Sequence, residues 1–222
     1  MRQISRLSVT AVSTALLITL SSCSSTQSTL EADDQPSTPT ENRETVTSGQ
    51  ISDVPENNNA SGESPQGSVT DAANFEITEN EDGTVTISRY IGTETDIVIP
   101  SQIDGKTVSA IGNVTGTTGA FEGCTNITSV VIPDGVTEIQ DNAFYGCTSL
   151  ETVTIPSSVT LLRNCAFCDC PNLRAVYFKG DAPQQANYVF DSAENVTMYY
   201  QDGTSGWENP WHGRPAEVYI PE

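Results

Sequence analysis

Residues 142–162 read NAFYGCTSLETVTIPSSVTLL, and residues 119–139, 23 positions earlier, read GAFEGCTNITSVVIPDGVTEI. A third copy opens at 165–178 as CAFCDCPNLRAVYF. Phe121, Phe144, Phe167 and Phe190 stand 23 apart. Ala120, Ala143 and Ala166 precede the first three, and Cys124, Cys147 and Cys170 follow three residues later. Ile127, Leu150, Leu173 and Val196 make a further column at the same period. Self-similarity at a fixed period of this length marks a repeat architecture, in which each unit buries its apolar face only against its neighbours.

Each unit also carries a shorter pattern. It reads Ile127-x-x-Val130-x-Ile132, then Leu150-x-x-Val153-x-Ile155, then Leu173-x-x-Val176-x-Phe178, and last, in degraded form, Val196-x-x-Tyr199-x-Gln201. An earlier rung holds Ile97, Ile99 and Pro100, which lie 33 before Val130, Ile132 and Pro133. The ten extra residues are assigned to the Asp104-Gly105-Lys106 turn and to Thr115–Gly119. An L-x-x-L-x-L pattern at a period of roughly 20–29 is the leucine-rich-repeat signature. The A-F-x-G-C, L-x-x-V-x-I-P and V-x-x-I blocks occur in order, and from Ile97 to Tyr200 the chain resembles the bacterial surface-protein (BspA-like) leucine-rich repeats. That resemblance implies a short repeat solenoid, a right-handed coil with a parallel β-sheet. It also implies adhesion to host or matrix proteins or to other cells. The third unit departs from the pattern, with Cys165, Cys168 and Asp169 where Asn142, Tyr145 and Gly146 stood. The fourth has lost the cysteine and the proline, as suits a terminal unit.

The repeat explains its own residues. Successive strands lie about 4.8 Å apart, so Val130, Ile132 and their equivalents line the interior while alternate residues face out on the concave side. Proline ends each strand where no further ladder donor is needed. Val136/Ile139 and Val159/Leu162 pack a second side, and the four phenylalanines are expected to stack as an internal spine. Open ends of such a stack expose core and strand edges. Residues 75–87, FEITENEDGTVTI, read as a hairpin around Asp82-Gly83 and are taken as the N-terminal cap. Residues 199–222, with Trp207, Trp211 and Tyr219, are taken as the C-terminal cap.

Composition bounds the rest of the chain. Of 222 residues, 29 are acidic and 9 basic, a formal charge of −20. That balance excludes nucleic-acid phosphates as a partner, since those need Lys and Arg clusters. Arg2 and Arg6 precede a largely apolar stretch, Leu7 to Leu20, interrupted by Ser and Thr. It is shorter than the roughly 20 apolar residues of a spanning helix and fits the core of a secretory signal. Leu20-Ser21-Ser22-Cys23 then resembles the lipobox of bacterial lipoproteins, which implies that Cys23 is lipidated after cleavage. Residues 1–22 are therefore read as a signal peptide, 23–73 as a lipidated cysteine and tether, and 74–222 as the repeat domain. From 24 to 73 nine acidic residues stand against Arg43 alone, with no aromatic. Such a segment cannot bury enough apolar surface to offset its ordering entropy. As a coil it spans roughly 40 Å, and its charge extends it further.

No constellation for catalysis emerges. His212 is the sole histidine, carboxylates are scattered, and neither G-x-S-x-G nor a P-loop nor an EF-hand spacing occurs. No enzyme activity, metal or cofactor is expected. The Cys124, Cys147 and Cys170 column reads as buried thiols acting as small hydrophobes. For Cys165-x-x-Cys168 three readings stand: a redox or zinc site, a local disulfide using two of Cys165, Cys168 and Cys170, or plain packing. The candidate binding surface is the concave face, with Val98, Val131, Thr154, Tyr177 and Tyr200 in one outward column. Ser129, Thr152, Ala175 and Met198 form the other. Tyrosine gives large contact area with few rotors. Trp207 and Trp211 suit either a sugar-stacking platform or the core of the cap. The expected function is a cell-surface adhesion module on the extracellular face of a bacterial membrane, held by its lipid anchor and otherwise monomeric. Its expected partner is an extracellular or host matrix protein. A glycan, or a passive structural role, is the alternative.

Overall fold

The structure, a computed structural model, describes residues 67–113, 118–185 and 188–220. The signal segment, Cys23, the tether up to residue 66 and Thr115–Thr117 lie outside the described residues. A 3-10 turn at Ala72–Asn74 leads into β1 (Phe75–Glu79) and β2 (Val85–Tyr90). Then come β3 (Asp96–Val98), β4 (Gln102–Ile103) and β5 (Lys106–Ile111). The repeats follow as strand pairs: β6 (Ser129–Val131) with β7 (Glu138–Ile139), β8 (Thr152–Ile155) with β9 (Leu161–Leu162), and β10 (Ala175–Phe178) with β11 (Gln184–Gln185). The chain closes with β12 (Thr197–Gln201) and β13 (Ala216–Tyr219).

Each repeat gives its first strand to one sheet and its second to another. One sheet, of six strands, runs β13-β12-β10-β8-β6-β3, every neighbouring pair parallel. The second runs β1-β2-β5-β7-β9-β11, with β4 paired to β5 off the path. The 33-residue offset read from sequence holds, since Ile97 pairs with Val130. The insertion is in part the antiparallel β4–β5 hairpin. Its turn is Asp104-Gly105, both at positive φ (52° and 74°), the twist that favours Asp-Gly in two-residue hairpins. The Phe75–Ile87 hairpin also forms: β1 and β2 pair antiparallel, and β2 continues in parallel to β5.

The phenylalanines line up. Ring centroids from Phe121 to Phe144, Phe167 and Phe190 are 4.7, 5.1 and 5.5 Å apart, with planes within 15°. The stack runs past the periodic residues, because Tyr90 lies 5.2 Å from Phe121 and nearly parallel, and Phe75 packs edge-on to Phe121 and tilted against Tyr90. Two columns of backbone bonds hold the turns that carry these rings. Phe121, Phe144 and Phe167 donate N–H to the carbonyls of Ala143, Ala166 and Val189, at 2.7–2.9 Å. Gly123, Gly146 and Asp169 donate to Tyr145, Cys168 and Asp191, at 2.8–2.9 Å.

The buried cysteines follow from the same turn. Cys147 Sγ lies 3.1 Å from the carbonyl oxygen of Phe121, and Cys170 Sγ lies 3.2 Å from that of Phe144. The column therefore packs as small hydrophobes, as read, and adds a weak donor to carbonyls inside the stack. Burial pushes the Cys170 thiol up to about 12, so it stays a thiol at neutral pH. Alkylation at pH 8 is expected to spare Cys170 in the native protein and to reach it only after denaturant is added, as mass spectrometry would read. Of the three readings of the C-x-x-C segment, the structure takes the local disulfide: Cys165 and Cys168 are bonded, and Cys170 is free.

Backbone conformation repeats with the same period as the side chains. Gly123, Gly146, Asp169 and Ser192 all sit at positive φ, between 54° and 70°. A side chain there costs roughly 1 kcal/mol, which glycine avoids. Asp169→Gly restores the residue the first two repeats use. It is expected to raise stability by about 0.5–1 kcal/mol in urea unfolding.

Part of the stretch assigned to the tether is packed against the repeats. Thr70, within the 23–73 stretch, is buried to 7 % exposure. Its N–H donates to the Val98 carbonyl at 2.9 Å, and its hydroxyl accepts from the Val98 N–H at 3.1 Å. The chain just before the hairpin thus covers the free edge of β3. A polar sequence hides this, because the docking uses backbone groups that every residue carries.

Candidate binding surface

The sequence points to the outward face of the β3–β13 sheet as the binding surface, and the register decides what that face displays. Ala175, Val176, Tyr177 and Phe178 of β10 pair with Thr197, Met198, Tyr199 and Tyr200 of β12. The spacing here is 22, not 23, because Val196 stands two residues before Met198 whereas Leu173 stands three before Val176. A one-residue shift in a strand exchanges its two faces. Tyr200, expected outward, therefore takes the inward column beside Phe178 and stacks on Trp207 at 5.0 Å with planes 4° apart. Met198, also expected outward, is fully buried. Tyr199 and Thr197 occupy the outward places instead.

The face then divides into two halves. Toward β3 the groups are used up. Ser129 donates its hydroxyl to Asp96 Oδ1 at 2.5 Å, with Thr128 and Thr95 adding bonds of 3.1 and 3.2 Å to the same carboxylate. These hydroxyls, the Ser129 one foremost, hold the Asp96 carboxyl below the usual carboxylate range. Thr154, expected as a contact residue, is only 3 % exposed between its neighbours in β6 and β10. Its small side chain sits below the level of flanking Val131 and Tyr177, so it offers little to a partner. Val98 and Val131 remain half-buried.

Toward β13 the same column becomes aromatic. Tyr177 and Tyr199 stack at 5.2 Å, and Tyr219 meets Tyr177 edge-on at 5.5 Å. All three are half-buried. Burial raises the Tyr177 and Tyr219 hydroxyls above their ordinary range, so both are protonated donors at neutral pH. In β13, Glu217 stands beside Tyr199 and Tyr219 beside Gln201. The result is a cluster of three rings with polar tips and one carboxylate at its rim. Sequence reasoning placed Tyr177 here but missed Tyr199 and Tyr219. The two-residue gap from Val196 to Met198 was the available signal for the first. Nothing in the sequence aligned β13.

The tryptophans do other work. Trp211 is 4 % exposed. Trp207 is half-buried, donates Nε1–H to the Gly180 carbonyl at 3.3 Å, and lies 4.8 Å from both Phe178 and Trp211. Both rings extend the internal packing past β10, Trp211 buried and Trp207 in part exposed. Of the two sequence readings, the burial of Trp211 and the ring packing of Trp207 favour the core of the C-terminal segment.

With this geometry in view, residues 116–203 match the BspA type leucine rich repeat region in six copies. The fold is a leucine-rich-repeat fold with parallel strands. A leucine rich cell surface protein from Faecalibacterium prausnitzii A2-165 is 31 % identical at a TM-score of 0.50, over 72 % of this chain and 44 % of that one. A leucine-rich repeat protein from Bacteroides capillosus is 26 % identical at a TM-score of 0.48, over 60 % of this chain and 99 % of its own. The T. pallidum leucine rich repeat protein is 23 % identical at 0.44, over 70 % of this chain and 84 % of its own. This chain thus spans less than half the length of the Faecalibacterium protein. No curated protein matches it significantly.

Proposed function

We propose that this chain is a non-enzymatic binding module displayed on a bacterial surface, lipid-anchored through Cys23. It engages a protein partner with the tyrosine end of its outward sheet face. The observation that carries the reading is the Tyr177–Tyr199–Tyr219 cluster. It sets three half-buried rings on a rigid sheet, where little side-chain entropy remains to be lost on binding. The match of the repeats to the BspA type, and a relative described as a cell surface protein, support the placement outside the cell. The repeats form a solenoid closed at one end by the Phe75–Tyr90 hairpin and at the other by the Trp207–Tyr219 segment. The acidic tether lifts it from the membrane.

Six strands at about 4.8 Å make a face about 24 Å wide. A contact of that size falls below the roughly 1,200 Å² of stable complexes. Monovalent binding is therefore weak, and many copies on one membrane supply the avidity. The test measures binding of the full chain carrying Cys23→Ser to immobilised matrix proteins, first free and then clustered on beads. Clustering is expected to tighten apparent binding by at least about 100-fold. Equal affinity in both formats, or no saturable binding to any matrix protein, overturns the proposal.

A further inference from the structure

The two edges of the repeat sheet differ. The β3 edge is covered by the chain's own Thr70, whereas among the described residues no strand covers the β13 edge and only the Asn209 side chain reaches it, at the Ala216 N–H. Pro215 O accepts from Met198 N at 2.8 Å, which fixes the alternation of the parallel ladder. Glu217 and Tyr219 then turn their backbone groups to β12, while Ala216, Val218 and Ile220 turn theirs outward. Asn209 Oδ1 accepts the Ala216 N–H at 3.3 Å, and no described residue bonds the outward N–H of Val218 or Ile220. Val218 is 50 % and Ile220 81 % exposed. Edge strands are ordinarily guarded by an inward charge, a bulge or a lysine, because an open apolar edge pairs with another chain. Neither a lysine nor a bulge interrupts Ala216–Tyr219.

We propose that β13 is a self-association edge, pairing antiparallel with β13 of a second copy about a two-fold axis through Val218. The strand is complementary to itself in that register. Val218 faces Val218 of the second copy in a hydrogen-bonded pair. Each outward Ala216 carbonyl receives the Ile220 N–H of the other chain, giving four backbone bonds. On one sheet face Ala216, Val218 and Ile220 meet the same three residues in reverse order. On the other, each Glu217 carboxylate stands opposite a Tyr219 hydroxyl, which donates to it, and not opposite the other Glu217. A two-fold pairing repeats every one of these contacts by symmetry. Joined edge to edge, two copies bury less than the roughly 1,200 Å² of stable complexes. The dimer is accordingly weak in dilute solution and favoured where copies are crowded on a membrane. It replaces the monomer expected from sequence and presents two tyrosine clusters on one continuous sheet.

Sedimentation equilibrium on the full chain with Cys23→Ser, in mild detergent, tests this. A concentration-dependent dimer is expected. It should tighten as salt rises from about 0.01 to 0.15 M, which shortens the screening length from about 30 to 8 Å and weakens repulsion between chains of charge −20. Val218→Pro removes an N–H that no described residue uses and is expected to weaken the dimer at least about tenfold. Val218→Lys serves the same purpose if the proline variant loses its circular dichroism. Register is read by oxidation. Val218→Cys is expected to cross-link, since the paired Cα atoms would be about 5.5 Å apart. Ile220→Cys is not, since its two copies would lie about 14 Å apart along the strands. A chain that stays monomeric, a dimer indifferent to both Val218 variants, or equal cross-linking at the two positions overturns the proposal.

Discussion

Phe144→Ala is expected to lower the unfolding free energy by about 3–5 kcal/mol, the usual cost of removing a buried phenylalanine and leaving its cavity. Phe144 is fully buried, with a ring stacked on each side at 4.7 and 5.1 Å. Its backbone N–H and carbonyl are fixed by Ala166 and by the Cys147 and Cys170 turns, so neighbours cannot collapse into the gap. Phe190→Ala, at the end of the stack and 6 % exposed, should cost less, by about 1–2 kcal/mol. Urea unfolding of both variants checks the order. Equal losses would mean that the rings do not act as a continuous internal column.

Tyr199→Ala and Tyr200→Ala are expected to fail in opposite ways. Tyr199 stands in the outward cluster, so its loss should weaken binding to the matrix protein by about 10- to 30-fold, within the range of interfacial aromatic anchors. Stability should change little. Tyr200 packs inward on Trp207, so its loss should leave binding within about twofold and lower stability by about 2 kcal/mol. Tyr177→Ala should resemble Tyr199→Ala, since the two rings stack on each other. Surface plasmon resonance and urea melts on the same preparations separate the two outcomes. If Tyr200→Ala abolishes binding while Tyr199→Ala does not, the binding face is the other one.

These two residues also mark how far the sequence could be read. The 23-residue period placed the phenylalanine stack, the cysteine column, the parallel strands β6, β8 and β10, and the 33-residue step back to β3. Each of these depends on a spacing that recurs, and a repeat core is a spacing made solid. The same count misplaced Tyr200 and Met198, because one residue is missing between Val196 and Met198 and the alternation of a strand gives no partial credit. It also overstated Thr154, which points outward but lies too low to be touched.

What the sequence determined by itself was everything governed by repetition: identical units can bury their apolar faces only by stacking in register, so equivalent residues had to meet. Tertiary structure alone decided the non-repeating parts. Tyr90 and Phe75 extend the ring stack, Thr70 seals one sheet edge, and Tyr219 joins Tyr177 across two strands. Those contacts unite segments with no shared period, through backbone groups and ring edges that any sequence position can supply. Only the path of the chain says which of them come together.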